Sequence, residues 1–464
     1  MTMISTSRAT TGGLPDGPLV AYYGDDFTGS TDVMEAFTAA GVPTVLFLEL
    51  PRIEDLARFG HMRCIGLAGQ SRGKSPDWMQ RELPAVFERL HDLGAPVLQY
   101  KVCSTFDSSP HVGSIGQAID LGVKTSAATW SPMVVGAPRL KRYQVFGNLF
   151  AAANGAVHRI DRHPTMSRHP VTPMQEGDLR VHLAAQTQRR IELIDLAELS
   201  EGAGQARCTA LQGDDQPVVM IDVADTASQI EAGRLVWENR GKGVFSASSS
   251  GLQYALAAYW RAQGLIPATP SLPVAAEVPC IAVVSGSCSP MSAAQIQWAR
   301  ANGFATERLD IVKCLDPQHA EAEIARLVQG ALASIAQNMS PIVFSAEGPD
   351  DPSVLNFDAT AAAANMSKSD AAARVGHVLA EIMRQVLDGS NIRRIVVAGG
   401  DSSGAVGSHL GIRALTVEAG MAPGVPLCRA WSDDPQRDGL EVALKGGQLG
   451  GPSFYGQVRS GQFA

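Results

Sequence analysis

Short apolar runs rich in β-branched residues alternate along this chain with longer segments of helical period. Leu19–Tyr23, Pro43–Leu48, Arg63–Leu67, Val97–Lys101, Pro132–Val135, Val218–Ile221 and Gly243–Ser246 read as strands. Thr31–Ala40, Asp77–Leu90, Gly113–Ile119 and Asp225–Asn239 read as helices between them. Such alternation predicts parallel sheets with helices on both faces. From Leu265 to Pro279 the rhythm stops, and Pro267, Pro270, Pro273 and Pro279 occupy the gap. Proline has no amide donor and a fixed φ, so this stretch extends and reads as an interdomain linker. The alternation then resumes. Strands are expected at Ile281–Val284, Pro341–Ser345, Arg394–Ala398, Ala414–Glu418 and Gly439–Lys445, and helices at Met291–Asn302, Ala320–Gln337 and Asp370–Leu387. The expected architecture is α/β: two α/β domains with largely parallel sheets, over residues 17–265 and 278–464, and an active-site cleft between them for two substrates.

Composition agrees with two domains, because 464 residues exceed what one hydrophobic core sustains. A net charge of −8 without a basic block excludes binding to nucleic acid. The first twenty residues are rich in Ser, Thr and Gly and have no apolar centre, so they are neither a signal peptide nor an anchor. No apolar run reaches the length of a membrane span. The seven cysteines form no C-x-x-C pair and read as reduced thiols of a cytoplasmic protein.

Four features carry candidate chemistry in the first half. Tyr23-Gly24-Asp25-Asp26-Phe27-Thr28-Gly29-Ser30 follows the first strand, where open α/β sheets bind ligands. One acid could orient or deprotonate a sugar hydroxyl and the other hold further hydroxyls, while Thr28, Gly29 and Ser30 offer donors to an anion at a helix start. The plainer reading is an N-cap, which needs only one acid. Lys101, ending its strand before Cys103-Ser104-Thr105, suits a carboxylate or a transferring phosphate, or is a solvated loop lysine. The stretch Asp161 to Met174 gathers prolines, Arg168, His163 and His169. It reads as a loop facing an anionic ligand or as structure alone, and its histidine spacing fits no helical zinc pair. Ala68-Gly69-Gln70-Ser71-Arg72-Gly73-Lys74-Ser75 resembles a phosphate loop, but Pro76 follows at once and it holds only two glycines, which favours a chance match.

The second half ends three strands in Gly/Ser clusters: Ser285-Gly286-Ser287-Cys288-Ser289-Pro290, Gly399-Gly400-Asp401-Ser402-Ser403-Gly404 and Lys445-Gly446-Gly447-Gln448-Leu449-Gly450-Gly451. Glycine lets the backbone approach a ligand, and serine hydroxyls and free amides bind phosphate oxygens. Three such ends in one domain suggest a nucleotide across the sheet edge, with Asp401 at the ribose or a magnesium ion. None matches G-x-G-x-x-G, which disfavours NAD.

Together these residues resemble the four-carbon acid sugar kinases, over nearly the whole length. The resemblance rests on Gly24-Asp25-Asp26-Phe27-Thr28-Gly29, on His169-Pro170-Val171-Thr172-Pro173-Met174 and on the three Gly/Ser clusters. It implies ATP-dependent phosphorylation, with Mg2+, of a hydroxyl of a tetronate or its oxo derivative. It also implies ATP contacts from Ser285, Ser287, Gly399, Gly400, Asp401, Ser402, Gly446 and Gly447. On the acid side, Asp26, Asp25 and Lys101 are the expected catalytic groups. Thr28, Gly29, Arg72, Ser104, Thr105, Arg168 and His169 are the expected binding groups. Cys103 stands where the family pattern has Asp, Phe106-Asp107-Ser108 where it has Leu-Arg-Gly, and Gln70 where Asp precedes Ser-Arg. These departures leave the identity of the acid open, along with any homodimer. The rival is a sensor that binds both ligands without transfer.

Overall fold

The structure, a computed structural model, describes residues 13–153, 155–169, 171–268 and 272–462. It is mixed α/β, as the alternation implies, and its main feature is one sheet of twelve strands. The strand order is Val244–Ser248, Val97–Lys101, Val20–Gly24, Cys64–Ala68, Thr44–Phe47, Ile412–Ala422, Val425–Ser432, Glu441–Lys445, Arg394–Ala398, Ala282–Ser285, Ser340–Phe344 and Phe304–Arg308. The first five are mutually parallel, and so are the last five. Strands covered by helices on both faces should be apolar throughout. Accordingly Val20–Gly24, Val97–Lys101, Ser340–Phe344 and Arg394–Ala398 are buried at every position.

The two parallel halves do not stand apart as separate sheets. The hairpin Ile412–Ala422/Val425–Ser432 joins them, pairing antiparallel with Thr44–Phe47 on one side and Glu441–Lys445 on the other. The sequence expects only Ala414–Glu418 here. The strand runs longer, through register shifts at Ile412/Ala414, Val417/Ala419 and Gly420/Ala422 that break the alternation. Two further sheets of three strands each sit in the first half. Ser131–Met133 and Val218–Ile221 belong to one of these, with the unanticipated strand Ile191–Ile194.

Helix starts follow local chemistry. Asp26 caps the Phe27–Thr38 helix, Ser75 caps Pro76–His91, and Ser289 caps Pro290–Ala301, the last two with proline in the first helical position. Stacked Phe37 and Trp260 rings, 5.7 Å apart, pack the first helix on Gly251–Ala262. Gly399-to-Gly404 is a helix start rather than a loop, since the helix Gly400–His409 begins directly after Gly399 at φ +117°. Residues 265–268 and 272–279 form no helix or strand, and Pro270 lies outside the described residues. No helix among the described residues is long and apolar enough to cross a membrane.

Candidate active site

Three strand ends meet at Asp25. Its amide donates to the Lys101 carbonyl at 2.9 Å, and its own carbonyl accepts the Arg72 amide at 2.9 Å. The Arg72 guanidinium grips the Asp25 carboxylate through Nε at 3.1 Å and Nη2 at 2.7 Å, and Nη2 also reaches Asp26 Oδ1 at 2.7 Å. Asp26 Oδ1 further accepts the Gly29 amide, so Asp26 is the helix cap. The second acid is accounted for by Arg72, not by capping. Among the described residues Asp26 Oδ2 takes no hydrogen bond. Burial pushes the Asp25 pKa up against the pull of Arg72, and the neighbouring Asp26 adds to the rise.

Lys101 is not the solvated loop lysine of the plainer reading, being only 2% exposed. Its Nζ stands 3.9 Å from Asp32 Oδ2 and 3.2 Å from where a Cβ on Gly29 would sit. That same Cβ would lie 2.4 Å from Asp26 Oδ1, so position 29 admits no side chain. Nothing in the sequence marks Asp32 except its place four residues beyond Thr28. Arg72, by contrast, is already matched by two carboxylates. The cation it lends to an incoming acid is therefore smaller than the sequence alone suggests.

The loop after Lys101 is tied internally. The Thr105 hydroxyl donates to Asp107 Oδ1 at 2.6 Å and lies 2.9 Å from Cys103 Sγ. Burial, then the Asp107 charge, pushes the Cys103 thiol up to about 11, so it stays protonated. Phe106 holds φ 62°, an uncommon conformation for a residue with a side chain. Ser104 makes no side-chain hydrogen bond among the described residues. Arg142, missed by sequence, brings a buried Nε without a partner.

The 161–174 stretch is ordered largely by its own backbone. His163 Nδ1 accepts the Thr165 and Met166 amides, and His169 Nδ1 accepts the Thr172 amide at 3.0 Å, so both histidines shape turns. Arg168 is exposed, and no ion pair ties it to the cluster at Asp25. Pro170 lies outside the described residues. Of the phosphate-loop lookalike only Arg72 enters this cluster: Lys74 Nζ lies 5.7 Å over the Trp78 ring, Ser75 caps a helix, and Gly69 packs on Tyr23.

In the second half the three clusters interlock. Gly286 donates to the Ala398 carbonyl and Gly399 to the Lys445 carbonyl, each at 2.9 Å. Ser289 Oγ donates to the Gly447 carbonyl at 2.6 Å, and Ser292 Oγ to Ser287 Oγ at 2.9 Å. A Cβ on Gly286 would lie 2.1 Å from Ser402 Oγ, and one on Gly447 2.4 Å from Ser287 Oγ. Ser285 Oγ is buried without a hydrogen-bond partner. Lys445 is fully buried with one contact, 3.4 Å to the Gly447 carbonyl, and burial pushes its pKa down to about 8. The helix after Gly399 has no side-chain cap, which leaves its first amides free for an anion. The role expected of the Asp401 side chain lies outside the described residues.

The two sets of residues face each other. Thr28 Oγ1, buried and without a partner, lies 3.5 Å from a Cβ position on Gly400, and Thr28 Cγ2 lies 3.5 Å from one on Gly446. The carboxyl ends of strands from both halves thus converge on the start of the first helix. A ligand held by Asp26 and Lys101 would adjoin one held by the glycine loops.

Comparison with known proteins matches this division. Residues 20–256 match a sugar-binding N-terminal domain model and residues 282–455 a nucleotide-binding C-terminal domain model. A 3-oxo-isoapionate kinase of Paraburkholderia graminis is 64% identical over 97% of this chain and 96% of its own. A 3-oxo-tetronate kinase of Cupriavidus necator is 27% identical over 97% of this chain and 98% of its own. The crystal structure of a Salmonella typhimurium LT2 protein labelled a tRNA synthase superposes with TM-score 0.77 at 25% identity, over 95% of this chain and 98% of that one. The chain therefore belongs to the four-carbon acid sugar kinase family, with the sugar-binding domain first and the nucleotide-binding domain second.

Proposed function

We propose that this kinase transfers the γ-phosphoryl group of ATP to a hydroxyl of a 3-oxo acid sugar, of the isoapionate kind rather than a tetronate. The observation that supports the transfer is the approach of Thr28 to Gly400 and Gly446, by which an acceptor bound in one domain would lie beside phosphates bound in the other. The choice of acid follows the 64% identity to the 3-oxo-isoapionate kinase against 27% to a 3-oxo-tetronate kinase.

The residues at the glycine loops fit ATP. A Cβ at position 286 or 447 would meet a serine hydroxyl at 2.1 or 2.4 Å, and Ser285 Oγ, beside the Tyr455 hydroxyl, is buried and makes no hydrogen bond. Mg2+ would travel on the phosphates and need few protein oxygens, for which Ser285 and Ser287 are placed. The metal would supply charge neutralisation at the transferring group. On the acid side Lys101 would meet the substrate carboxylate, and Arg72 would fix Asp25 and Asp26. Oδ2 of Asp26 would orient substrate hydroxyls, and Ser104, Thr105, Arg168 and His169 would complete the acid's surroundings when the domains close. The domains are assigned to residues 17–265 and 278–464. The seven free cysteines support a cytoplasmic setting. The enzyme is proposed to work as a homodimer or alone, which sedimentation would decide.

The test is a coupled assay for ADP with a panel of 3-oxo and reduced acid sugars. Asp26→Asn is expected to lower kcat about a hundredfold while ATP affinity stays within about twofold. Turnover near wild type in that variant removes Asp26 from the reaction. Binding of acid and ATP without ADP from any acid would mean a sensor instead.

A further inference from the structure

The transferring hydroxyl must lose a proton, and the cluster at the first helix offers three carboxylates to take it. Asp25 has both oxygens on Arg72. Asp26 spends Oδ1 on the Gly29 amide and on Arg72. Asp32 differs from both. Its Oδ1 is buried and has no hydrogen-bond partner, while its Oδ2 has only Lys101 Nζ, at 3.9 Å. A buried carboxylate oxygen without a donor is costly and signals a donor supplied by a ligand.

Placement and charge agree. Asp32 is four residues beyond Thr28, on the same face of the Phe27–Thr38 helix and about 6 Å along its axis. Thr28 approaches Gly400 and Gly446, the positions proposed above to lie at the phosphates. Arg72 answers Asp25 and Asp26, whereas Asp32 has Lys101 at 3.9 Å and Arg139 at longer range. Burial outweighs both cations and raises the Asp32 pKa above the ordinary carboxylate value, which favours uptake of a proton. Ser250 Oγ, at the start of the Gly251–Ala262 helix, is the hydroxyl that faces Asp32, yet neither it nor Asp32 Oδ1 completes a hydrogen bond.

Resting on the kinase reading above, we propose that Asp32 is the general base: its Oδ1 accepts the hydrogen of the acceptor hydroxyl. As that oxygen bonds to the γ-phosphorus, the bond from the γ-phosphorus to the β–γ bridging oxygen breaks and its electron pair leaves with ADP. The proton resides on Asp32 until product departs and then passes to solvent. Lys101 stays beside Oδ2, 3.9 Å away.

The test measures ADP release by wild type, Asp32→Asn and Asp32→Glu with 3-oxo-isoapionate, across pH, with ATP binding followed by calorimetry. The charged and titratable groups around Asp32 are Lys101 from its strand end, Tyr22 from the first strand, Asp26 and Glu35 on its own helix segment, Arg139, and Tyr254 from the packed helix. Asp32→Asn is expected to lose at least about a hundredfold in kcat, to bind ATP within about twofold of wild type, and to lose the acidic limb of the kcat profile. A residue that only steadied Lys101 would leave that limb in place. Asp32→Glu keeps the charge beside Lys101 but displaces the oxygen, so it should fold and still lose about tenfold. Retention of kcat within about threefold in either variant, or an unchanged acidic limb, overturns the proposal. Wild type inactive with every acid sinks the kinase reading instead.

Discussion

Glu35 offers a quantitative check on how the two halves hold together. It lies on the first helix, is 5% exposed, and its Oε2 accepts the Gly424 amide at 2.7 Å, at the turn of the joining hairpin. Burial, reinforced by the charge of Asp32, raises its pKa from 4.5 to about 7. Unfolding releases the carboxyl to water, where it gives up its proton near 4.5. Between these values the folded chain holds one more proton than the unfolded chain, so stability falls as pH rises. The contribution is complete below 4.5 and gone above about 7. At about 1.4 kcal/mol per pH unit, that interval amounts to on the order of 3 kcal/mol. Glu35→Gln keeps an acceptor for Gly424 and removes the proton. Urea unfolding of wild type and variant from about pH 4 to about pH 8.5 reads the difference. The variant is expected to gain about 3 kcal/mol relative to wild type across this range, all of it between the two values. Parallel stability curves would mean that Glu35 is ionised in the folded chain, and the account of its burial would be wrong.

Two further expectations separate the nucleotide loops from their lookalike. Gly286→Ala places a Cβ 2.1 Å from Ser402 Oγ, which must turn away and reshape the loop that faces the phosphates, so KM for ATP should rise about tenfold with the fold intact by circular dichroism. An unchanged KM would mean that the ATP phosphates lie elsewhere. Lys74→Ala should leave KM for ATP within about twofold, because Lys74 lies over the Trp78 ring and makes no contact with the glycine loops among the described residues. Loss of ATP binding there would restore the phosphate-loop reading of residues 68–75.

Much of the candidate site is legible without coordinates, because its chemistry is local. A Gly/Ser cluster after an apolar run marks a strand end whose amides are free, and Ser285, Gly399 and Gly446 are found at such ends. Asp25 and Asp26 advertise themselves as neighbours in the chain. Asp26 as helix cap follows from its position alone, and so does the start at Pro290 behind Ser289.

What the chain does not announce depends on partners far away along it. Arg72 could be read as free for a substrate until Asp25 and Asp26, almost fifty residues earlier, were seen to hold it. Asp32 is an ordinary helical acid until Lys101 and an unsatisfied oxygen appear beside it. His163 and His169 look like ligands for an anion, yet their Nδ1 atoms are spent on backbone amides that only the folded turn presents. The joining of both halves in one sheet rests on Thr44–Phe47 pairing with Ile412–Ala422, a contact between segments whose own patterns are unaffected by it. Periodicity and turn residues act over a few positions, and so the sequence determined the elements, their alternation and the chemistry at their ends. Pairing, burial and the sharing of charge act between residues that only folding brings together, and those the tertiary structure decided.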